Sequence, residues 1–287
     1  MKKRDLAFLD SHGHLHSEYA DEWVDTLAAR MPTCNVRKAS LTGVGLVSDH
    51  EDEDVLRGYE KYPDLFYPYL CNFNPDDLKS INYVKHHLNS GPWRGVGELF
   101  LDTTDTVCAN IPMRDGSAKK HPYPVPKDKS DSRVFREVFD LCGEKGIPVF
   151  VHCERLKFLC DVLPRHPGTR FLAAHCDYRC NSDDARRMLE AHPNVTCDVG
   201  PVLKHMRHKN PADAASIALH DAWRRLMADF PDRITLGTDI YSWAGLTEDA
   251  YKRVYDAFHE LLGHLSIDHA RLIAGGNYKR LMEGNDA

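Results

Sequence analysis

The stretch IPVFVH, residues 147–152, is apolar until its last position. Read as a strand, it places Ile147, Val149 and Val151 on one face and Pro148, Phe150 and His152 on the other. It follows SRVFREVFDLCGEKG (132–146), an amphipathic helical pattern that closes on Gly146. A helix leading into a short buried strand is the repeating unit of a parallel sheet.

Outward from this stretch the unit recurs. Strand candidates are LAFLDS (6–11), LTGVGLV (41–47), LFYPYL (65–70), RGVGELF (94–100), IPVFVH itself, RFLAAH (170–175), NVTCDV (194–199) and RITLGT (233–238). Between them lie helical patterns such as ADEWVDTLAARM (20–31) and LHDAWRRLMADF (219–230). Eight such units in 287 residues predict a single-domain (β/α)8 TIM barrel over 1–287, a fold that takes about 250 residues. An open doubly wound sheet would open on a Gly-rich turn, and no G-x-G-x-x-G follows any strand. Two long connections, 101–131 and 200–213, follow strands, so they belong on the catalytic face of the barrel, where long loops act as lids.

Bulk properties narrow the function. Apolar residues make up 42% and charged residues 28% of the chain, as in a soluble globular protein. No apolar run is long enough to span a membrane. A net charge of −6 argues against a broad nucleic-acid footprint. Nine cysteines without a C-x-x-C pair read as reduced thiols, and the N-terminal segment lacks a signal-peptide core, so a cytoplasmic location is expected.

The polar residues cluster where strands end. His12 and His14 follow the first strand, Glu98 closes the fourth, His152 the fifth, His175 the sixth, and Asp239 follows the eighth. In a barrel these positions converge on one cavity. One histidine of 17 at a strand end reads as an ordinary hydrogen-bonded residue; the whole set at matched strand ends reads as a metal site. Imidazole and carboxylate donors suit one or two divalent ions, zinc first, with manganese, iron or cobalt compatible. Such an ion lowers the pKa of water to about 7 and polarises an acyl oxygen, and Asp239 is placed to accept the proton. His16 lies further into the loop; a shift of register would make His14 and His16 the pair. Asp198 closes the seventh strand, where it orients a ligand or caps a loop. Tyr241 and Trp243, just beyond Asp239, and Arg94 are candidates for contact with substrate. Cys153 and Cys176 turn away from the cavity by strand parity and read as packing thiols.

With these residues in place the chain resembles the amidohydrolase superfamily of metal-dependent barrels. The matching elements are Asp10-Ser11-His12-Gly13-His14, Gly95-Val96-Gly97-Glu98, His152, His175, Gly237-Thr238-Asp239, and the closing Gly276-Asn277-Tyr278-Lys279-Arg280-Leu281. The last is similar to the amidohydrolase-related branch. There the resemblance implies one metal held by His12, His14, His152 and Asp239, with His175 catalytic. Gly97-Glu98-Leu99 with Leu101-Asp102 is similar instead to the TatD-like deoxyribonucleases, and implies that Glu98 bridges two metals, the second with His152 and His175. The expectation is a hydrolase of a small-molecule ester, lactone or amide. The alternatives are a decarboxylase of the aminocarboxymuconate-semialdehyde decarboxylase type, a TatD-like deoxyribonuclease and a non-catalytic metal-binding barrel. The expected partner is a small molecule, with nucleic acid and membrane disfavoured; the oligomeric state stays open, a homodimer included.

Overall fold

A computed structural model describes residues 5–44, 50–102, 110–120, 128–179, 181–200 and 214–284. Its main sheet has eight strands: β1 (Phe8–Asp10), β2 (Val36–Leu41), β3 (Phe66–Leu70), β4 (Gly95–Asp102), β7 (Val149–Cys153), β8 (Phe171–Ala173), β9 (Val195–Val199) and β10 (Ile234–Leu236). They are neighbours in that order and pair in parallel throughout. The sheet curls round until its ends meet. Ser11 N–H donates to Leu236 O at 3.0 Å, Asp239 N–H donates to His12 O at 2.8 Å, and Gly13 bridges Ile240 in parallel. The chain is a single-domain (β/α)8 barrel, and the bonds that bring its first and last strands together lie among the residues expected to do chemistry.

The alternation read at 147–152 is the principle of the core. Phe150 points into the barrel with Tyr67, Tyr69, Leu172 and Tyr278, while Val149 and Val151 face the helices. Helix Arg133–Lys145 answers them with Val134, Phe135, Val138, Phe139 and Cys142, all buried at helical spacing. Ser132 caps its first turn by accepting from Phe135 N–H, and Gly146 ends it at φ +65°, a conformation glycine adopts without penalty. Fully burying one Val, Leu or Phe side chain stabilises by about 1.5–3 kcal/mol, so the two faces of each strand stabilise two separate interfaces. Cys153 and Cys176 sit in the outer interface, as parity requires.

One strand lies elsewhere than its pattern suggested. LTGVGLV is not the second strand: β2 is VRKASL, and only Leu41 is shared. Arg37 and Lys38 conceal it in the sequence. They occupy the N-terminal rim of the barrel, where long side chains reach water, and Lys38 meets Glu283 at 3.7 Å. Residues 45–49 lie outside the described residues.

The connection 101–131 carries a small antiparallel hairpin, β5 (Asn110–Pro112) with β6 (Ala118–Lys120). Its turn residue Arg114 donates two 2.6 Å hydrogen bonds to Glu22 and stacks over Trp243 at 4.6 Å. Where the chain returns, Asp102 at the end of β4 accepts from Asp128 N–H and from the Arg155 guanidinium. Residues 201–213, most of the other long connection, lie outside the described residues.

The closing motif acquires a physical reading. Asn277 donates from its amide to Pro231 O and Ile234 O, both at 2.7 Å, fixing the last helix (Asn277–Glu283) to β10. Tyr278 then enters the barrel floor and donates to Tyr69 Oη at 3.1 Å. A Cβ at Gly275 would lie 2.7 Å from Leu9 Cδ1, so the small residue there lets the helix approach β1. Among the described residues no helix is long and apolar enough to cross a membrane, and the cysteines form no disulfide.

Candidate metal centre

Each candidate ligand is set by its strand end. Asp10 accepts from His12 N–H, from Thr238 N–H and hydroxyl, and from Tyr255 Oη–H. It thereby locks the His12 segment to the Asp239 segment. Gly97 has φ +134°, and a Cβ there would fall 2.2 Å from Phe150 O, so glycine alone allows this backbone path. Thr42 reinforces it, donating to Gly97 O and accepting from Glu98 N–H. His175 and Asp239 both have positive φ, 55° and 49°. Such conformations cost non-glycine residues about 1–3 kcal/mol and cluster at functional sites.

The side chains meet in one small volume. Glu98 divides its two oxygens. Oε2 lies 3.4 Å from His12 Nε2 and 3.6 Å from His14 Nε2; Oε1 lies 3.0 Å from His152 Nδ1 and 3.2 Å from His175 Nε2. Asp239 Oδ1 stands 3.5 Å from His12 Nε2 and 3.4 Å from His14 Nε2, and its Oδ2 3.8 Å from His175 Nδ1. Among the described residues, three overlapping groups could each hold an ion: His12–His14–Glu98, His12–His175–Asp239, and Glu98–His152–His175. The six residues predicted from strand ends are therefore brought together.

The donor chemistry fits a cation. His12 Nδ1 is 3.0 Å from an Asp198 oxygen and His14 Nδ1 is 2.9 Å from Gly43 O, both acceptors. As neutral rings, both would carry the proton on Nδ1 and present a lone pair at Nε2. Those two Nε2 atoms are 3.0 Å apart. Two lone pairs facing at that distance repel unless positive charge lies between them. His175 Nδ1 is also buried without a hydrogen-bond partner. The electrostatics agree. Burial alone would push His12 down, but Glu98, Asp239 and Asp198 outweigh it and hold the imidazole well above its usual range. Burial would raise Glu98, yet His12 and His175 hold it well below the usual carboxylate range.

The remaining candidates separate. Tyr241 lies edge-on to His14, ring centroids 6.5 Å apart, at the mouth. Trp243 is packed between Trp23, edge-on at 5.1 Å, and the Arg114 guanidinium. Arg94 is a correction: it is exposed immediately before β4, at the N-terminal end of the barrel and so at the wrong end to line this cavity. The strand heptapeptide hid this, because Arg94 and Glu98 are close in sequence but lie towards opposite ends of one strand. His16 is buried beside Trp23 and belongs to none of the three ligand groups. Glu154 was missed, although the parity that singled out His152 reaches it two residues on. Its side chain is only 5% exposed, 3.7 Å from His152 Nε2.

Residues 47–281 match the amidohydrolase family. Comparison with curated proteins found no match. Among solved structures, a zinc-bound amidohydrolase from Burkholderia multivorans is 15% identical, with 96% of this chain and 99% of that chain covered at a TM-score of 0.65. A 4-oxalomesaconate hydratase from Rhodopseudomonas palustris is 14% identical, with 97% and 96% covered at 0.64. A 5-carboxyvanillate decarboxylase from Novosphingobium aromaticivorans, complexed with manganese and a nitrobenzoic acid, is 11% identical, with 99% of each covered at 0.60. At these identities the likeness is one of fold.

Proposed function

This chain belongs to the amidohydrolase family, and on that premise we propose that it is a metal-dependent hydrolase that cleaves an ester, lactone or amide bond of a small molecule. The observation that carries the reading is the divided carboxylate of Glu98, one oxygen toward His12 and His14 and the other toward His152 and His175. A carboxylate so placed suits two ions sharing a bridge. His12, His14 and Asp239 would hold one with Glu98, and His152 and His175 the other. Zinc is the ion proposed first for this nitrogen-rich set, with manganese, iron or cobalt compatible.

A bound divalent ion would supply Lewis acidity, acidifying water and polarising the scissile carbonyl. The protein's own groups do the rest. Asp239 is the most accessible of the carboxylates, its side chain 17% exposed against 4% for Glu98. It can take the proton of the attacking water at a carboxylate oxygen and return it to the leaving group. His175 stands between Glu98 and Asp239, one ring nitrogen toward each. Tyr241 flanks the approach to His14, and Arg114, in the turn between β5 and β6, lies over Trp243.

Decarboxylation is the competing reaction on this fold, and it needs no bridging carboxylate. Metal content per chain, measured by elemental mass spectrometry on wild type and Glu98→Gln, separates the two. Two ions falling to one, with turnover of an ester and lactone panel, is the expected result. One ion in both proteins removes Glu98 from the metal shell and brings decarboxylation level with hydrolysis. No metal after reconstitution overturns the reading.

A further inference from the structure

Behind the His12 ring lies a buried carboxylate that none of the ligand groups includes. Asp198, at the penultimate position of β9, has no solvent exposure, and neither has Ser11. Its two oxygens are divided between two neighbours on the first strand's end: Oδ2 is 3.0 Å from His12 Nδ1, and Oδ1 accepts from the Ser11 hydroxyl at 2.7 Å. Ser11 Oγ is in turn 2.9 Å from Thr235 Oγ1 on β10. The pocket has no spare room, since a Cβ on Gly237 would lie 2.4 Å from Asp198 Oδ1 and 2.3 Å from His12 Cβ.

We propose that Asp198 is a positioning residue: it holds the proton of His12 on Nδ1, and so commits His12 Nε2 to the metal centre. The inference rests on the reading of His12 as a ligand. The hydrogen bond at one ring nitrogen decides the state of the other. With the Ser11 hydroxyl donating to Oδ1, Oδ2 is the acceptor beside Nδ1, so Nδ1 donates and Nε2 faces Glu98 and Asp239 with its lone pair. Such outer partners are worth about 10–100-fold in metal affinity. Ser11 holds the second oxygen and keeps the carboxylate from rotating away from the imidazole. His14 has a backbone carbonyl, Gly43 O, in the corresponding place, so the two ligands are held by different kinds of acceptor.

The test uses zinc binding by chelator competition, together with nitrogen-15 NMR of the histidine rings, on the full chain. In zinc-loaded wild type, His12 should carry its proton on Nδ1. Asp198→Asn should weaken zinc by about 10–100-fold, and Ser11→Ala by less. Loss of packing alone would lower the unfolding midpoint and leave the tautomer and zinc affinity unmoved. Should Asp198→Asn fail to fold, the wild-type tautomer and Ser11→Ala still decide. A bare Nδ1 in wild type, or zinc bound as tightly by the variants as by wild type, overturns the role of Asp198 alone. No zinc uptake by wild type overturns the metal centre and this role with it.

Discussion

The two ends of the barrel are built from opposite materials. At the floor, Tyr67, Tyr69, Phe150, Leu172 and Tyr278 fill the interior, and the polar atoms they bring are hydroxyls satisfied among themselves and by Met282 Sδ and Glu283. At the mouth, four histidines and two carboxylates crowd together, two of them on strained backbone, with a third carboxylate, Asp198, behind. One ring touches both zones: Phe150 meets His12 edge-on, centroids 4.5 Å apart. The contrast teaches where each end's free energy goes. The floor gains from apolar burial and stabilises the fold. The mouth concentrates charge that burial opposes, and its imidazoles and carboxylates offset that cost by facing one another.

Three changes would break or sharpen that contrast. The largest effect is expected at the mouth. Asp239→Asn should lower turnover by about 10²–10⁴-fold while metal content and stability largely survive, because Asn accepts the left-handed backbone that Asp239 occupies. Steady-state kinetics beside elemental analysis reads this. Full activity in the variant would remove Asp239 from proton transfer. Next, Leu172→Ala at the floor should cost about 2–5 kcal/mol in urea unfolding, with zinc affinity unchanged. Zinc affinity falling in step with stability would mean that the two ends are one cooperative unit. The smallest effect concerns Asp102, at the end of β4. Burial opposes its charge, but the Arg155 guanidinium and the Asp128 N–H outweigh it and hold the carboxyl below its usual range. Its folded value lies below its unfolded one, so its contribution is full above about pH 4 and is lost as pH falls through the folded value. Urea unfolding of metal-free protein at descending pH should show this loss, and Asp102→Asn should flatten it. An unchanged pH profile in the variant would place the acid sensitivity in the mouth instead.

Much of the barrel was legible because strand parity is local. The alternation in IPVFVH already separated Phe150 and His152 from Val149 and Val151, and the ends of the other strand patterns located Glu98, His175 and Asp239. It failed where local pattern and tertiary position diverge. The strand VRKASL was hidden because Arg37 and Lys38 look like loop residues until the N-terminal rim gives them water. Arg94 was misplaced because a strand carries its two ends to opposite sides of the molecule.

The sequence by itself determined the types of donor and the strand ends that carry them, since both follow from residue identity and a period of two. Only the tertiary structure decided which atom of each donor faces the centre. His12 turns Nε2 inward because Asp198, 186 positions away, takes Nδ1. His14 does the same because of Gly43, and the Glu98 backbone N–H is held by the hydroxyl of Thr42 at the end of β2, two strands away. Tautomer and carboxylate orientation are fixed by partners distant in the chain, and no local periodicity encodes them.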